Sequence, residues 1–318
     1  MSTDATSATE PAKPIRPTGP VLVIGEALVD IVNGQATPGG SPANVAVGLA
    51  RLGVATELVT RIGTDEYGVQ LADHLTGNGV TLSGHTVEPG FPTSTATATL
   101  DGEGIASYEF DIHWEPPALE LPAGSSAVHT GSIATVLEPG AAAIRSFLAE
   151  LADQPVTVTL DPNARPTITP DAEQTWAAVK ALAAQADLVK LSDEDCEFLR
   201  PGLSPDQVAA ELLTVDRTRC VVITLGGAGA IGISRAARVQ VEAPKIEVVD
   251  TVGAGDSFMA ALLAGLHERD LLGAHRLEGL DEKALSAVID YAVKAAAITC
   301  TRHGADPPTA TDHRRIWT

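Results

Sequence analysis

The sequence predicts an α/β protein in which a mostly parallel sheet is flanked by helices, and three observations carry that expectation. From Ala127 onward, apolar strand-like runs alternate with helical patterns across short loops: Ala127–Gly131, Ala141–Leu151, Val156–Leu160, Ala172–Ala184, Leu188–Leu191, Val208–Leu213 and Cys220–Leu225. Such alternation builds parallel sheets covered on both faces. Residues 93–112 read differently, as a hairpin with one polar face, because Thr, Ser and Ala alternate before the Asp101-Gly102-Glu103-Gly104 turn. Composition agrees: 44% of the 318 residues are hydrophobic but only 3% aromatic, which leaves the core to Ala, Val, Leu and Ile.

The same composition excludes several function classes. A formal net charge of −20 argues against nucleic acid or an anionic membrane as partner, since both need Lys/Arg patches. Cys196, Cys220 and Cys300 are odd in number and far apart, so neither a disulfide framework nor a zinc site is indicated. No apolar run approaches the ~18 residues of a membrane span. Residues 1–19 are rich in Ser, Thr, Ala and Pro and lack the apolar core of a signal peptide, so they read as a disordered tail on a cytoplasmic protein. Residues 20–318 then form the folded domain.

Taken in order, Val21–Ile24 is a buried strand closed by Gly25, and Ala27–Val32 is a second strand with Asp30 inside it. An acid flanked by Leu28, Val29, Ile31 and Val32 is either the outward residue of a half-buried strand or a ligand contact. Gly39-Gly40-Ser41-Pro42-Ala43-Asn44 opens a helix: Ser41 suits the N-cap, Pro42 the first helical position, and Val45, Leu49 and Leu52 follow at helical spacing before Gly53. A well-capped helix accounts for Ser41, Pro42 and Gly53. It does not account so readily for Gly39 and Gly40, which put bare backbone where a small ligand could sit, or for Asn44 in the first turn. Arg61–Asp65 is a strand end and turn before a helix through Leu71 and Leu75.

Polar residues at the ends of the later strands are the ones to read, because ligands bind there in such sheets. They are Asp161-Pro162-Asn163-Ala164-Arg165 and Ser192-Asp193-Glu194-Asp195. Gly227-Ala228-Gly229-Ala230-Ile231-Gly232 spells a dinucleotide fingerprint, but Ile231, Ile233, Val239 and Val241 continue it as a hairpin where a helix is required. The dehydrogenase reading fails there. Ala284–Cys300 is an apolar-striped helix.

The centre of the chain is residues 250–266. A β-rich run (Ile246, Val248, Val249) ends at Asp250; Gly253-Ala254-Gly255-Asp256 follows, then an apolar helix through Met259, Leu262, Leu263 and Leu266. Small residues at a helix N-terminus present backbone N–H groups to a phosphate or an oxyanion. A carboxylate beside that site repels phosphate, and makes sense as the acceptor of a proton from an attacking hydroxyl. The competing reading is a tight turn with Asp256 as an ordinary helix cap.

Gly-Gly-x-Pro-Ala-Asn at 39–44 and Asp-Thr-x-Gly-Ala-Gly-Asp at 250–256 together resemble the ribokinase (PfkB) family of ATP-dependent sugar kinases. Gly25-Glu26-Ala27-Leu28-Val29-Asp30 is similar to the opening strand of its fructokinase-like members, and the resemblance runs over roughly residues 20–310. It implies a ribokinase-like fold with a small β-sheet lid, inserted around 28–38 and 93–112, and a homodimer paired through the lids. Asp256 would be the base, with the amides of Gly253, Ala254 and Gly255 and the side chain of Arg165 balancing charge. Asp30, Gly39, Gly40, Asn44 and Asn163 would hold the sugar together with Asp256, and Tyr108 and Phe110 would touch it from the lid. Lys190, Ser192, Thr224, Gly226, Gly227, Gly229, Thr251, Gly253, Gly255 and Ala297 would border ATP. Glu194 and Asp195 would act on Mg²⁺ through water, Asp195 standing where the family usually has Glu, and Asp250 would serve a monovalent cation such as K⁺. The acceptor implied is a primary hydroxyl of a sugar, in the fructokinase-like manner; 2-keto-3-deoxygluconate, ribose or a nucleoside are alternatives within the family. Ile112, His113 and Trp114 stand where many family sugar kinases carry Arg, which weakens an acidic sugar. A non-catalytic sugar- or nucleotide-sensing relative is the alternative of another class, and retention of Asp256 argues against it.

Overall fold

A computed structural model describes residues 19–100, 106–273 and 276–317. The expected tail, apart from Gly19, lies outside the described residues. The chain opens with β1 (Val21–Ile24), β2 (Leu28–Val32), β3 (Gln35–Gly39) and α1 (Ser41–Arg51). It continues through β4 (Thr56–Val59), α2 (Glu66–Gly77), β5 (Thr81–Leu82) and the pair β6 (Thr95–Leu100) and β7 (Ala106–Asp111). Next come β8 (Ala127–Gly131), α3 (Gly140–Glu150), β9 (Thr157–Asp161), α4 (Ala172–Ala183), β10 (Leu188–Ser192), α5 (Asp193–Leu199), α6 (Pro205–Leu212) and β11 (Cys220–Thr224). The hairpin β12 (Ala230–Ser234) and β13 (Arg238–Val241) precedes α7 (Ala254–Glu268), α8 (Glu282–Cys300) and α9 (Ala310–Trp317).

Nine strands form one sheet in the order β13-β12-β11-β10-β9-β8-β1-β4-β5. All pairings from β5 to β11 are parallel; β12 and β13 add an antiparallel edge. The continuous apolar runs exist because both faces are covered. Successive side chains alternate between faces: Val21 and Val23 join the core under α1, α7 and α8, while Leu22 and Ile24 join the one under α3, α4 and α6. Cys220 and Val222 divide from Val221 and Ile223 in the same way. Among the described residues no helix is long and apolar enough to cross a membrane.

The lid is a separate four-stranded sheet, β3-β2-β6-β7. Asp30 on β2 pairs with Ala96 on β6, and Ala96 pairs with Phe110 on β7, so the three form one cross-strand row. Tyr108 pairs with Ala98; its side chain lies outside the described residues, as do residues 101–105 of the expected turn.

Two expectations need correction. Ile246–Val249 is not a strand: the chain from 242 to 253 belongs to no helix or strand, and Val248 and Val249 are 58% and 47% exposed. The sheet ends at β13, and the amides of Val249 and Asp250 bond to the carbonyl of Cys300 at the end of α8. Ile246 and Val248 line a cavity instead. Ser41 is not the cap of α1; Gly40 takes that place with φ +98°, and no side chain caps the helix.

Candidate active site

Every strand end from β1 to β11 that faces the lid contributes to one cleft. Glu26 follows β1, Ser132 follows β8, Asn163 and Arg165 follow β9, Lys190 and Ser192 close β10, and Thr224 closes β11. The starts of α1 and α7 complete it with Gly40, Ser41, Asn44, Gly253, Gly255 and Asp256, and the lid adds Asp30, Ala96 and Phe110. Its volume is about 580 Å³. A second cavity of about 330 Å³ adjoins it, sharing Glu194, Thr224, Gly226, Thr251 and Gly255. That one is the more apolar, lined by Ile246, Val248, Phe258, Val293, Ala296 and Ala297, with Gly227, Gly229 and Ala254 at its rim.

The turn at 253–256 explains why its residues are small. Gly253 sits at φ +73°, a conformation costly for an L-residue, and a Cβ there would lie 2.5 Å from the Cβ of Ala305. α7 begins at Ala254 without a side-chain cap; the Ala254 amide donates to the carbonyl of Thr251, and the next amides, those of Gly255 and Asp256, are left for a ligand. Asp256 is not its cap. It is the third helical residue, 9% exposed, and its carboxylate turns away from its own helix to accept from Ser41 Oγ at 2.6 Å and Asn44 Nδ2 at 2.9 Å.

The acids of the cleft are raised by burial. Glu26 is 2% exposed, accepts from the amide of Ala134 at 3.0 Å, and is pushed up to about 7 by burial, with the Asp256 charge adding to the effect. Asp30 is raised by burial and by Asp256, against a smaller pull from Arg165. Gly39 lets that carboxylate stand where it does, because a Cβ there would lie 2.1 Å from Asp30 Oδ2. Beneath the turn, Lys190 Nζ donates to Asp161 Oδ2 at 2.8 Å, both side chains almost fully buried. Burial lifts Asp161 to about 6; it also works against the Lys190 charge, but Asp161, Asp195 and Asp256 outweigh it and raise the lysine. Lys190 lies within 3.2 Å of where a Gly255 side chain would stand, so its ammonium underlies the anion turn.

Asp195 is committed to structure. Its Oδ2 accepts from the amide and hydroxyl of Ser192 in a capping box, and its Oδ1 accepts from the amide of Ala164. It thereby ties α5 to the Asn163–Arg165 loop. Glu194, beside it, lines both cavities. Asp250 lies behind the turn, where the amides of Val252 and Gly304 hold its carboxyl below the usual range. Among the residues not expected at the site, Glu26, Ser41 and Asp161 make the polar contacts that shape it. An acid placed immediately after an apolar strand run is the signal that points to Glu26 and Asp161. For Ser41 the local signal, a helix start, points the wrong way.

Comparison with known proteins shows the family. Residues 20–312 match the pfkB family of carbohydrate kinases. Fructokinase-2 of Solanum lycopersicum is 33% identical over 316 residues, covering 92% of this chain and 94% of the relative. Probable fructokinase-3 of Arabidopsis thaliana is 32% identical, covering 92% and 89%. Among solved structures, fructokinase from Xylella fastidiosa with bound ATP has the same fold at a TM-score of 0.83, 24% identity and 95% and 98% coverage. A double mutant of fructokinase from Vibrio cholerae O395 with fructose, ADP and potassium ion bound superposes at a TM-score of 0.73, with 26% identity and 93% and 95% coverage. This chain belongs to the pfkB family of carbohydrate kinases, as a fructokinase-like, ATP-dependent member.

Proposed function

We propose that this chain transfers the γ-phosphate of ATP to a primary hydroxyl of fructose. One observation carries the reading. Asp256 stands at the junction of the α7 amides with the lid-covered half of the cleft, within reach of both a phosphate and a sugar. Support for a neutral sugar comes from the lining itself: Glu26, Asp30, Asp193, Glu194, Asp195 and Asp256 face two cations, Arg165 and Lys190. An acidic acceptor would meet repulsion. Fructose in particular rests on the relatives named fructokinases.

In this reading the sugar oxygen bonds to the γ-phosphorus, the bond from that phosphorus to the β,γ-bridging oxygen breaks, and ADP leaves. Asp256 accepts the hydroxyl proton, late in a loose transition state. The Gly255 amide and the Arg165 guanidinium balance charge on the transferring group, with Lys190 beneath them. The apolar cavity holds the adenine, and the lid keeps out water that would hydrolyse ATP. The residues present fit a divalent ion carried mostly by ATP, Mg²⁺ for an ATP phosphotransferase: Asp193 and Glu194 in the first turn of α5 line the cleft, and Glu194 reaches both cavities, while Asp195 is tied up by its hydrogen bonds. Such an ion would be held mainly by phosphate oxygens and would offset their charge. Asp250, behind the turn, is the residue for a monovalent cation. Two lids pairing across the open edges of the small sheet would cover them, and twice the chain mass by light scattering is the expected result.

Asp256→Asn tests the whole. It keeps the shape and both neighbours and removes the proton acceptor, so kcat on fructose falls roughly 10²–10⁴-fold while the ATP KM holds or improves. A variant that turns over at the wild-type rate would refute the assignment.

A further inference from the structure

Ser41 opens α1, yet its hydroxyl serves another helix. With Gly40 as the cap, no bond from the side chain goes to the α1 backbone. Its Oγ donates instead to Asp256 Oδ1 at 2.6 Å, across 215 residues of chain. Asn44, three residues on and on the same helical face, donates to Oδ2 at 2.9 Å. One turn of α1 thus grips both oxygens of the carboxylate. Each oxygen keeps a second lone pair for an incoming hydroxyl. The two helices are also tightly apposed: a Cβ on Gly48 would come within 2.6 Å of the Cβ of Ala260, so the grip sits on a rigid pair.

We propose that Ser41 is a positioning residue for the catalytic base. With Asn44 it fixes the rotation of the Asp256 carboxylate, so that a free lone pair meets the acceptor hydroxyl. This rests on the reading of Asp256 as the base. A carboxylate held by Asn44 alone can swivel, and misorientation acts on the chemical step more than on binding.

The test uses Ser41→Ala and Ser41→Thr in the full chain, and Ser41→Ala in an Asp256→Asn background, with fructose, ATP and Mg²⁺. The proposal expects Ser41→Ala to lower kcat about tenfold, the loss of one charge-assisted hydrogen bond, with the KM for sugar and for ATP within about twofold. Threonine, which restores a hydroxyl, should recover most of the rate, and alanine should cost nothing further once Asp256 is Asn. Wild-type kcat in Ser41→Ala, an equal loss in the Asn background, or a loss that merely tracks a smaller folded fraction by circular dichroism overturns the proposal. If Asp256→Asn itself keeps full turnover, the underlying reading fails. If it does not and Ser41→Ala is silent, only the role of Ser41 fails.

Discussion

Two helices that begin at the cleft, α1 and α7, and four that begin elsewhere, α2, α4, α6 and α8, are built by opposite rules. α2, α4, α6 and α8 start from Asp65, Asp171, Ser204 and Asp281, each accepting a hydrogen bond from an amide of its own first turn. α1 and α7 start from Gly40 and Gly253, both at positive φ and with no side-chain cap. A cap is worth about 1 kcal/mol, so the cleft helices forgo local stability and keep their amides and first-turn side chains for other contacts. α5 is intermediate: it borders the cleft and yet carries a full capping box, with three acids in its first turn. The acids divide along the same line. The cap Asp65, although burial works against it, is held below the usual range by the amides and hydroxyl around it, whereas burial raises Glu26, Asp30 and Asp161.

The largest effect should come from giving a cleft helix an ordinary residue. Gly253→Ala must adopt φ +73° and push against Ala305. The left-handed conformation costs about 1–2 kcal/mol, and a shift of the turn by about 1 Å is worth roughly 10²-fold in rate. The expected outcome is a fall of that order in kcat/KM for ATP. Gly53→Ala, at φ +87° with open space around it, bears a similar strain beyond the far end of α1 and should lose stability alone. Equal kinetic effects from the two would show that the cleft turn is no different from any tight turn.

How much of this division could be read from the sequence follows the range of the forces involved. The parallel strands were legible because burial on both faces leaves unbroken apolar runs such as Val21–Ile24 and Cys220–Thr224. The glycines of the cleft helices were legible too, since a local backbone demand selects them. Ser41 was misread as a cap because serine before a helix usually is one; its partner lies 215 residues away. Ile246–Val249 has strand propensity, but propensity reports a taste for half-buried surface and not the surface met. Here it is a cavity wall. α5 and α9 went unpredicted because seven or eight residues carry little periodicity. The burial that raises Glu26 is a property of the assembled strand ends, visible only in the fold.

A smaller effect sharpens the contrast between the acids. Glu26 is raised from 4.5 to about 7, so its contribution to stability is fully present below pH 4.5 and is lost as pH rises through about 7. Glu26→Gln keeps an oxygen to accept from Ala134 and removes the charge. Relative to wild type, the variant should therefore gain on the order of 2 kcal/mol between pH 5 and pH 8, read as the difference in urea midpoints at the two values. A difference that stays constant with pH would mean that Glu26 ionises freely and that the cleft floor is wet.

The smallest effect belongs to an outer cap, and its value lies in what should not change. Asp281 Oδ1 accepts from the amide of Ala284 at 2.8 Å and is exposed, so Asp281→Ala should lower stability by about 1 kcal/mol through fraying of the first turn of α8. The same helix reaches the smaller, apolar cavity, but only at Val293, Ala296, Ala297 and Cys300. At 1.5 Å per residue, Ala297 is roughly 24 Å from the cap, and Leu285, Val288, Ile289 and Ala292 between them are buried in the core. Packing of that kind confines fraying to the end. The KM for ATP and kcat should stay at wild-type values at any temperature where the variant is folded, while its melting midpoint falls. A change in the KM for ATP at constant folded fraction would break the separation between structural and functional helix starts, because it would show a cap acting on the cleft through the length of α8.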